Sequence, residues 1–412
     1  MEKKRCIPAE SQLDFLNWEF GVFFHFGIRT FYEGHKDWDL KDMPLSGFYP
    51  TDFSAEDWCE KIAAGGAKYA ILTAKHHDGF ANWPSAYTEY SVKNTPWRDG
   101  KGDVVGDFVA ACRKFGLKVG LYYSPAQFGS VNVDHDEYDT YFINQISELL
   151  TNYGKIDYLW FDGCGSANHN YNQERIIKSI RALQPEILIF NMWDPDTAWV
   201  GNEDGYARYP NVYEKNVASM GRCRRESDSE EGTRFLPDEC DCRIRDTWFY
   251  EDADRDNLKS VDMLMGMYEL SVGRGSNLLL NIGPDRRGRL LDEDVARINE
   301  FAAEVKRRYS NPIPVDTVYD DNGLYIYFPQ PTDANCVVLE EDIVNGQSVF
   351  DFELSFFNCE GNDYYKTVLF HGSTVGRKLI ISFPPMRLRR LRLDILRSEG
   401  DWKLNSVKVF KY

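Results

Sequence analysis

The rhythm of this chain limits what it can become. From residue 20 to about 310, short apolar, β-rich runs alternate with longer segments of helical periodicity. Gly21 to His25 reads as a first strand. Ser54 followed by Asp57 forms a capping box that opens a helix through Trp58 and Ile62, and Gly65-Gly66 stops it. Lys68 to Ala74 reads as a buried strand, Asp103 to Phe115 as a helix closed by Gly116, and Leu117 to Tyr123 as the next strand. Helix Tyr138 to Tyr153, strand Ile156 to Phe161, helix Tyr171 to Leu183 and strand Ile187 to Asn191 follow. The pattern resumes with helix Leu258 to Val272, strand Leu278 to Asn281 and helix Glu293 to Arg308. Strand then helix, repeated, demands a parallel sheet under helical cover. At this length the expected fold is a closed (β/α)8-like TIM barrel rather than an open sheet.

Residues 192 to 255 break the rhythm, with few periodic runs and many Asp, Glu, Gly and Arg. Their aromatics (Trp193, Trp199, Tyr206, Trp248, Phe249, Tyr250) argue against disorder. The segment is expected to hold the remaining barrel strands, joined by large loops on the active face. Near Pro312 to Pro314 the pattern changes, and from Gly323 onward period-2 runs alternate with Gly, Asn and Pro turns. That predicts a C-terminal β-sandwich. The expected division is a catalytic barrel over 1–312 and a sandwich over 313–412.

Charge and composition exclude several partners. The 48 basic and 65 acidic residues leave a net charge of −17, a field that repels polyphosphates. The run Arg387 to Leu393 alternates charge with apolar residues and reads as a strand with one wet face, so no nucleic-acid partner is expected. No apolar run reaches the roughly 18 residues that span a bilayer, so no membrane partner is expected. The charged start, Met1 to Arg5, has no apolar stretch behind it and is not a signal peptide, which predicts a cytoplasmic protein. Nine cysteines are scattered from Cys6 to Cys359, mostly within apolar stretches, as buried thiols of a reducing compartment would be. Cys240-Asp241-Cys242 has no second cysteine pair at ligand spacing, so neither metal nor cofactor is expected. Aromatic residues reach 15%, which suits sugar C–H faces as well as core packing.

In a (β/α) barrel the reactive groups lie at the C-terminal ends of the strands. The residues there are His25; His76-His77-Asp78; Tyr123-Ser124; Asp162-Gly163; and Asn191-Met192-Trp193. Three histidines and a carboxylate, from three strands, therefore converge on one face. Three readings compete. The residues could be structural polar caps, or the ligands of a hydrolytic metal. Against the metal, neighbours on an extended segment point opposite ways, which would separate His76 from His77. The third reading is glycoside hydrolysis, in which two carboxylates work across the scissile bond. Asp162, ending Tyr158-Leu159-Trp160-Phe161, suits its nucleophile.

Four motifs in chain order resemble the α-L-fucosidases of glycoside hydrolase family 29. They are Phe23-Phe24-His25-Phe26-Gly27, Thr73 to Phe80 (with Lys75-His76-His77-Asp78-Gly79-Phe80), Trp160-Phe161-Asp162-Gly163, and Asn277 to Pro284. The resemblance implies a retaining fucosidase, a barrel followed by a sandwich, no metal, and a fucosylated oligosaccharide or glycoconjugate as partner. Asp162 resembles the family nucleophile. His25, His76, His77, Tyr123 and Trp160 match positions that hold the sugar, and Trp38 matches another. Neutral imidazoles suit such a task, since each offers a donor and an acceptor to a hydroxyl. The family places its acid/base on a variable loop. Trp199 to Gly205 resembles that loop, which makes Glu203 the candidate, with Glu214 and Glu239 as alternatives.

A second resemblance concerns substrate. Ser91 to Trp97 and Leu236 to Asp241, running on to Trp248-Phe249-Tyr250, are similar to the subgroup selective for α-1,3/1,4-fucosyl branches, and add Trp248 to the expected sugar-binding set. The chain departs from the subgroup around Met192 to Trp199 and Tyr209 to Tyr213. The alternative from another class is a fucose-binding, lectin-like protein on an inactive barrel.

Overall fold

The computed structural model describes residues 5–34, 36–217, 223, 225, 227–229, 231–357 and 366–412. Eight parallel strands form the first sheet: β1 (Phe20–Phe24), β2 (Tyr69–Lys75), β3 (Lys118–Tyr123), β4 (Tyr158–Phe161), β5 (Leu188–Phe190), β6 (Ala198–Trp199), β9 (Asp238–Arg243) and β10 (Asn277–Asn281). Their order is β5-β4-β3-β2-β1-β10-β9-β6. The gap between β5 and β6 is spanned by a parallel bridge from Phe190 to Thr197, so the sheet nearly closes into the expected barrel. Helices α2 (Ala55–Ala64), α3 (Val104–Lys114), α4 (His135–Asn152), α5 (Gln173–Leu183), α6 (Val261–Ser271) and α7 (Asp292–Tyr309) cover it; α1 (Glu10–Trp18) precedes β1. The helix starts follow local chemistry. The Ser54 hydroxyl accepts from the Asp57 N–H, and the Asp103 carboxylate from the Gly106 N–H.

The irregular stretch resolves as expected into barrel strands and loops. It carries β6 and β9, and between them a small antiparallel hairpin, β7 (Glu214–Asn216) with β8 (Thr233–Phe235). No helix separates β5 from β6; a short turn returns the chain directly.

Alternation along each strand sorts side chains into two apolar layers. Phe23, Tyr69, Ile71, Tyr122, Tyr158, Trp160, Phe190 and Leu279 fill the barrel interior. Val22, Phe24, Leu72, Leu121, Tyr123, Leu159, Phe161 and Ile189 pack outward against the helices. The interior leaves little slack. A Cβ on Gly21 would come within 2.4 Å of the Tyr69 ring.

The C-terminal strands β11 (Asp316–Asp320), β12 (Gly323–Glu341), β13 (Val349–Phe357), β14 (Lys366–Gly372), β15 (Leu379–Ser398) and β16 (Leu404–Phe410) form one antiparallel network. β12 and β15 run 19 and 20 residues, and their pairing is interrupted twice by register shifts. Both halves of these strands supply one apolar cluster, including Leu324, Val337, Leu379 and Leu391, so the sheet folds over its own core. Arg387 to Leu393 lies in β15, with Leu388, Leu391 and Leu393 buried. The eight described cysteines are free thiols, and Cys359 lies outside the described residues. No helix among the described residues is long and apolar enough to cross a membrane.

The C-terminal sheet is tied to the barrel through Tyr213. Its buried hydroxyl donates to the Gly275 carbonyl at 2.7 Å and accepts from the Arg377 N–H at 3.1 Å. Replacing Tyr213 with Phe leaves both backbone groups unpaired, an expected cost of about 2 kcal/mol. Denaturant unfolding should show the loss; unchanged stability would mean the hydroxyl contributes no tie.

Candidate active site

A cavity of about 380 Å³ opens at the C-terminal mouth of the barrel, a size ordinary for a small-molecule site. Five of the eight barrel strands (β1, β2, β4, β5 and β6) contribute to it from their last residue or the one beyond, and β3 and β9 contribute Tyr122 and Asp241 from just inside their ends. Asp162 follows β4 at the rim. Its Oδ2 accepts from the Tyr122 hydroxyl at 2.9 Å and lies 3.5 Å from His77 Nε2. Its Oδ1 accepts from the Cys164 N–H at 2.8 Å. The carboxylate is thus fixed from both oxygens while its side chain keeps 27% exposure toward the cavity.

The histidines are buried and oriented. His25 Nδ1 is 2.7 Å from Asn281 Oδ1, and His77 Nδ1 is 2.6 Å from the Ser124 hydroxyl. His76 stacks on Tyr122 at 5.4 Å and 11°. Burial lowers the pKa of each: His25 to about 3, His76 well below the ordinary histidine value, and His77 also downward, although Asp162 opposes that shift. All three are therefore neutral near pH 7.

The expected separation of His76 from His77 does not occur. β2 ends at Lys75 and the chain turns, so both rings line the cavity with centroids 4.3 Å apart. With Asp37 they place ligand atoms within 4.8 Å of one another, a spacing a metal could use. Arg29 already donates to Asp37 at 2.5 Å and lies 3.4 Å from His76 Nδ1, so a guanidinium cation sits where a metal's charge would be needed.

Of the other expected residues, Trp160 and Trp248 line the cavity. Trp38 stacks on His77 at 4.9 Å and donates its indole N–H to Cys164 Sγ. Tyr123 does not reach the cavity. It shares strand parity with Val119 and Leu121 and so faces the helices, where its hydroxyl donates to Gln145 and the Lys75 ammonium lies over its ring. Its neighbour Tyr122 holds the inward position instead. The signal was present in Val119-Gly120-Leu121-Tyr122-Tyr123: the aliphatic residues take the helix-facing parity, and Tyr123 falls in with them.

The three candidate glutamates occupy different places. Glu203 lines the cavity, with a half-exposed side chain 3.8 Å from Arg243. Partial burial raises its pKa, with Arg243 opposing. Glu214 sits on the β7 hairpin, where it accepts from the Thr233 hydroxyl, away from the cavity. Glu239 is fully buried within the barrel and lies outside the cavity lining. Sequence reading missed Asp241, a buried lining residue that accepts from the Trp199 indole at 2.7 Å, and Asn281, which orients His25. Asp241 shares inward parity with Glu239 on β9, and Asn281 ends β10; both were readable by the alternation rule.

Carboxylates, neutral imidazoles and indole walls gathered at the mouth of a (β/α) barrel define a glycoside hydrolase. The family model for alpha-L-fucosidase matches residues 44–308. Alpha-L-fucosidase 1 of Arabidopsis thaliana is 30% identical over 96% of this chain and 85% of its own length. A glycoside hydrolase family 29 member from an unknown rumen bacterium superposes with a TM-score of 0.89 at 33% identity, over 98% of this chain and 78% of that one. The chain belongs to the alpha-L-fucosidase family, glycoside hydrolase family 29.

Two outcomes follow from the geometry. Tyr122→Phe should lower kcat on an aryl fucoside at least tenfold, whereas Tyr123→Phe should leave it within about twofold, because only the first hydroxyl touches Asp162. Since the histidine pKa values are all shifted downward, fucose affinity should stay flat from pH 5.5 to 8 by calorimetry. A rise or fall centred near 6.5 that persists in Glu239→Gln, and so does not come from the buried Glu239 carboxyl, would show that an imidazole titrates in the site.

Proposed function

We propose that the protein is a retaining exo-α-L-fucosidase with Asp162 as nucleophile and Glu203 as acid/base. The observation that carries this reading is the pairing of two unlike carboxyl groups on one cavity. Asp162 accepts from a phenol and a backbone N–H, donors that suit a carboxylate poised to attack. Glu203 is partly desolvated, which favours retention of a proton. In the first step an Asp162 oxygen bonds to the anomeric carbon as the glycosidic C–O bond breaks, and Glu203 passes its proton to the departing oxygen. In the second, Glu203 takes a proton from water, the water oxygen bonds to the anomeric carbon, and the ester to Asp162 breaks. The enclosed site admits a terminal sugar. His25, His76 and His77 offer donors and acceptors to its hydroxyls, and Trp160 and Trp248 offer faces to its C–H and methyl groups.

The proposed substrates are fucosylated oligosaccharides or glycoconjugates, with α-1,3/1,4 branches preferred. The half-exposed Trp199, beside Glu203 at the rim, supports a second sugar beyond the scissile bond. The division into a catalytic barrel over 1–312 and a C-terminal unit over 313–412 belongs to the same reading, as does action in the cytoplasm.

Free fucose released from a branched Lewis-type trisaccharide, a 2′-fucosylated lactose and an aryl fucoside tests this directly. Asp162→Asn should lose at least a thousandfold in kcat on all three while still binding fucose. Glu203→Gln should lose far more on the oligosaccharides than on the aryl fucoside, whose leaving group needs little protonation. Equal losses would move Glu203 to a binding role. A 2′-fucosyl substrate cleaved faster than the branched one would overturn the linkage preference.

A further inference from the structure

Glu239 does not belong to the cavity, yet the cavity rests on it. The residue lies on β9, fully buried, in the layer beneath the lining residue Asp241. Three donors from two other strands converge on it. The Tyr69 hydroxyl donates to Oε2 at 2.6 Å, while the Trp160 indole N–H and the Tyr158 hydroxyl donate to Oε1 at 2.8 and 3.3 Å. A buried carboxyl costs several kcal/mol unless its hydrogen bonds are met, so a group kept here is expected to serve its donors. Among them, Trp160 alone lines the cavity.

The contacts lead from Glu239 to the reacting centre. The Trp160 ring is sandwiched, stacking on Phe190 at 4.1 Å and 10° and on Tyr122 at 5.5 Å and 23°. Stacking fixes the spacing of these rings but is not directional within the ring plane. The indole N–H bond to Glu239 adds that directional restraint. Tyr122, seated on the opposite face, carries the hydroxyl that donates to Asp162.

We propose that Glu239 is a positioning residue for the fucosidase reaction: it locks the Trp160 indole, and through the Trp160–Tyr122 stack it sets the phenol that holds Asp162. The role depends on reach rather than charge. Burial raises the pKa of Glu239 to about 7, so at neutral pH a large fraction is already an uncharged acid, with one oxygen for the indole and one hydroxyl for a tyrosine oxygen. Gln reproduces that pattern, with its carbonyl on the indole and its amide donating to the Tyr69 oxygen, whose own hydrogen then turns to the buried, unpartnered Oδ1 of Asn277. Asp keeps the carboxylate but is one methylene short, and cannot meet Tyr69 and Trp160 together.

The test compares Glu239→Gln with Glu239→Asp on an aryl fucoside, alone and combined with Tyr122→Phe. Both variants stay polar and no larger than the native residue, and circular dichroism and Tm report their folding. The proposal expects Asp to lose at least tenfold in kcat and Gln to recover most of it. With Tyr122→Phe present, the Asp substitution should add less than about threefold, because both act through one hydroxyl. Asp as active as Gln, or losses that multiply independently, would overturn it. If either variant failed to fold, the Trp160 fluorescence of the other, taken as its difference from a Trp160→Phe control, would decide: unchanged in Gln or shifted in Asp supports the proposal, and the reverse overturns it. The inference rests on Asp162 being the nucleophile. Full activity in Asp162→Asn would sink that reading and this inference with it, whereas the wrong Gln/Asp order in an Asp162-dependent enzyme would sink this one alone.

Discussion

Everything in this molecule depends on the two-residue period of its eight parallel strands. Because the barrel nearly closes, each side chain within a strand is committed to the interior or to the helices, and only where a strand ends can neighbours such as His76 and His77 both enter the site. Phe23, Tyr122 and Trp160 build the interior from three strands, and their successors on the same parity, His25 and Asp162 among them, emerge at the mouth. A frame of interlocked aromatic rings holds them, with Trp160 pressed between Phe190 and Tyr122. The polar groups proposed to bind and react therefore sit just past the ends of rigid strands, which favours their preorganisation. Glu203 is the exception: it comes from the loop after β6, where reach can vary without disturbing the barrel.

Burial is the second organising force. In water the three histidines would titrate near pH 6.5; buried beside one another and Arg29 they stay neutral. The same desolvation pushes Glu203, Glu239 and Asp241 upward, each to a different extent. Asp162 escapes complete burial and gains hydrogen bonds to both oxygens. Under the proposed roles, one cavity in this way holds one carboxyl to attack and another to donate, both from the same chemical group.

Much of this is legible in the sequence. Strand and helix alternate over a stretch long and regular enough to imply the barrel, and the C-terminal period-2 runs imply the antiparallel sheet. The strand-end rule by itself brings His25, His76, His77 and Asp162 to one cavity. Other features are harder to read. Tyr122 and Tyr123 are adjacent and identical, so composition cannot choose between them; the choice lies in the parity of Val119 and Leu121. His76 and His77 would point apart if the strand continued through them, whereas it ends at Lys75 and turns. Glu239 and Glu203 are equally plausible acids by residue type. The loop motif around Glu203 favours it, and depth explains why: a carboxyl one layer below the rim meets tyrosines and indole rather than the cavity.

The proposed reaction requires Asp162 to form a covalent bond to the sugar. A 2-fluorinated fucosyl fluoride slows breakdown of such an intermediate and lets it accumulate, so intact-protein mass spectrometry followed by peptide mapping reads the attachment site. One fucosyl adduct per chain, on the peptide carrying Asp162 and missing in Asp162→Asn, is the expected result. An adduct on Glu203, or steady turnover of the reagent with no adduct at any time, would contradict it.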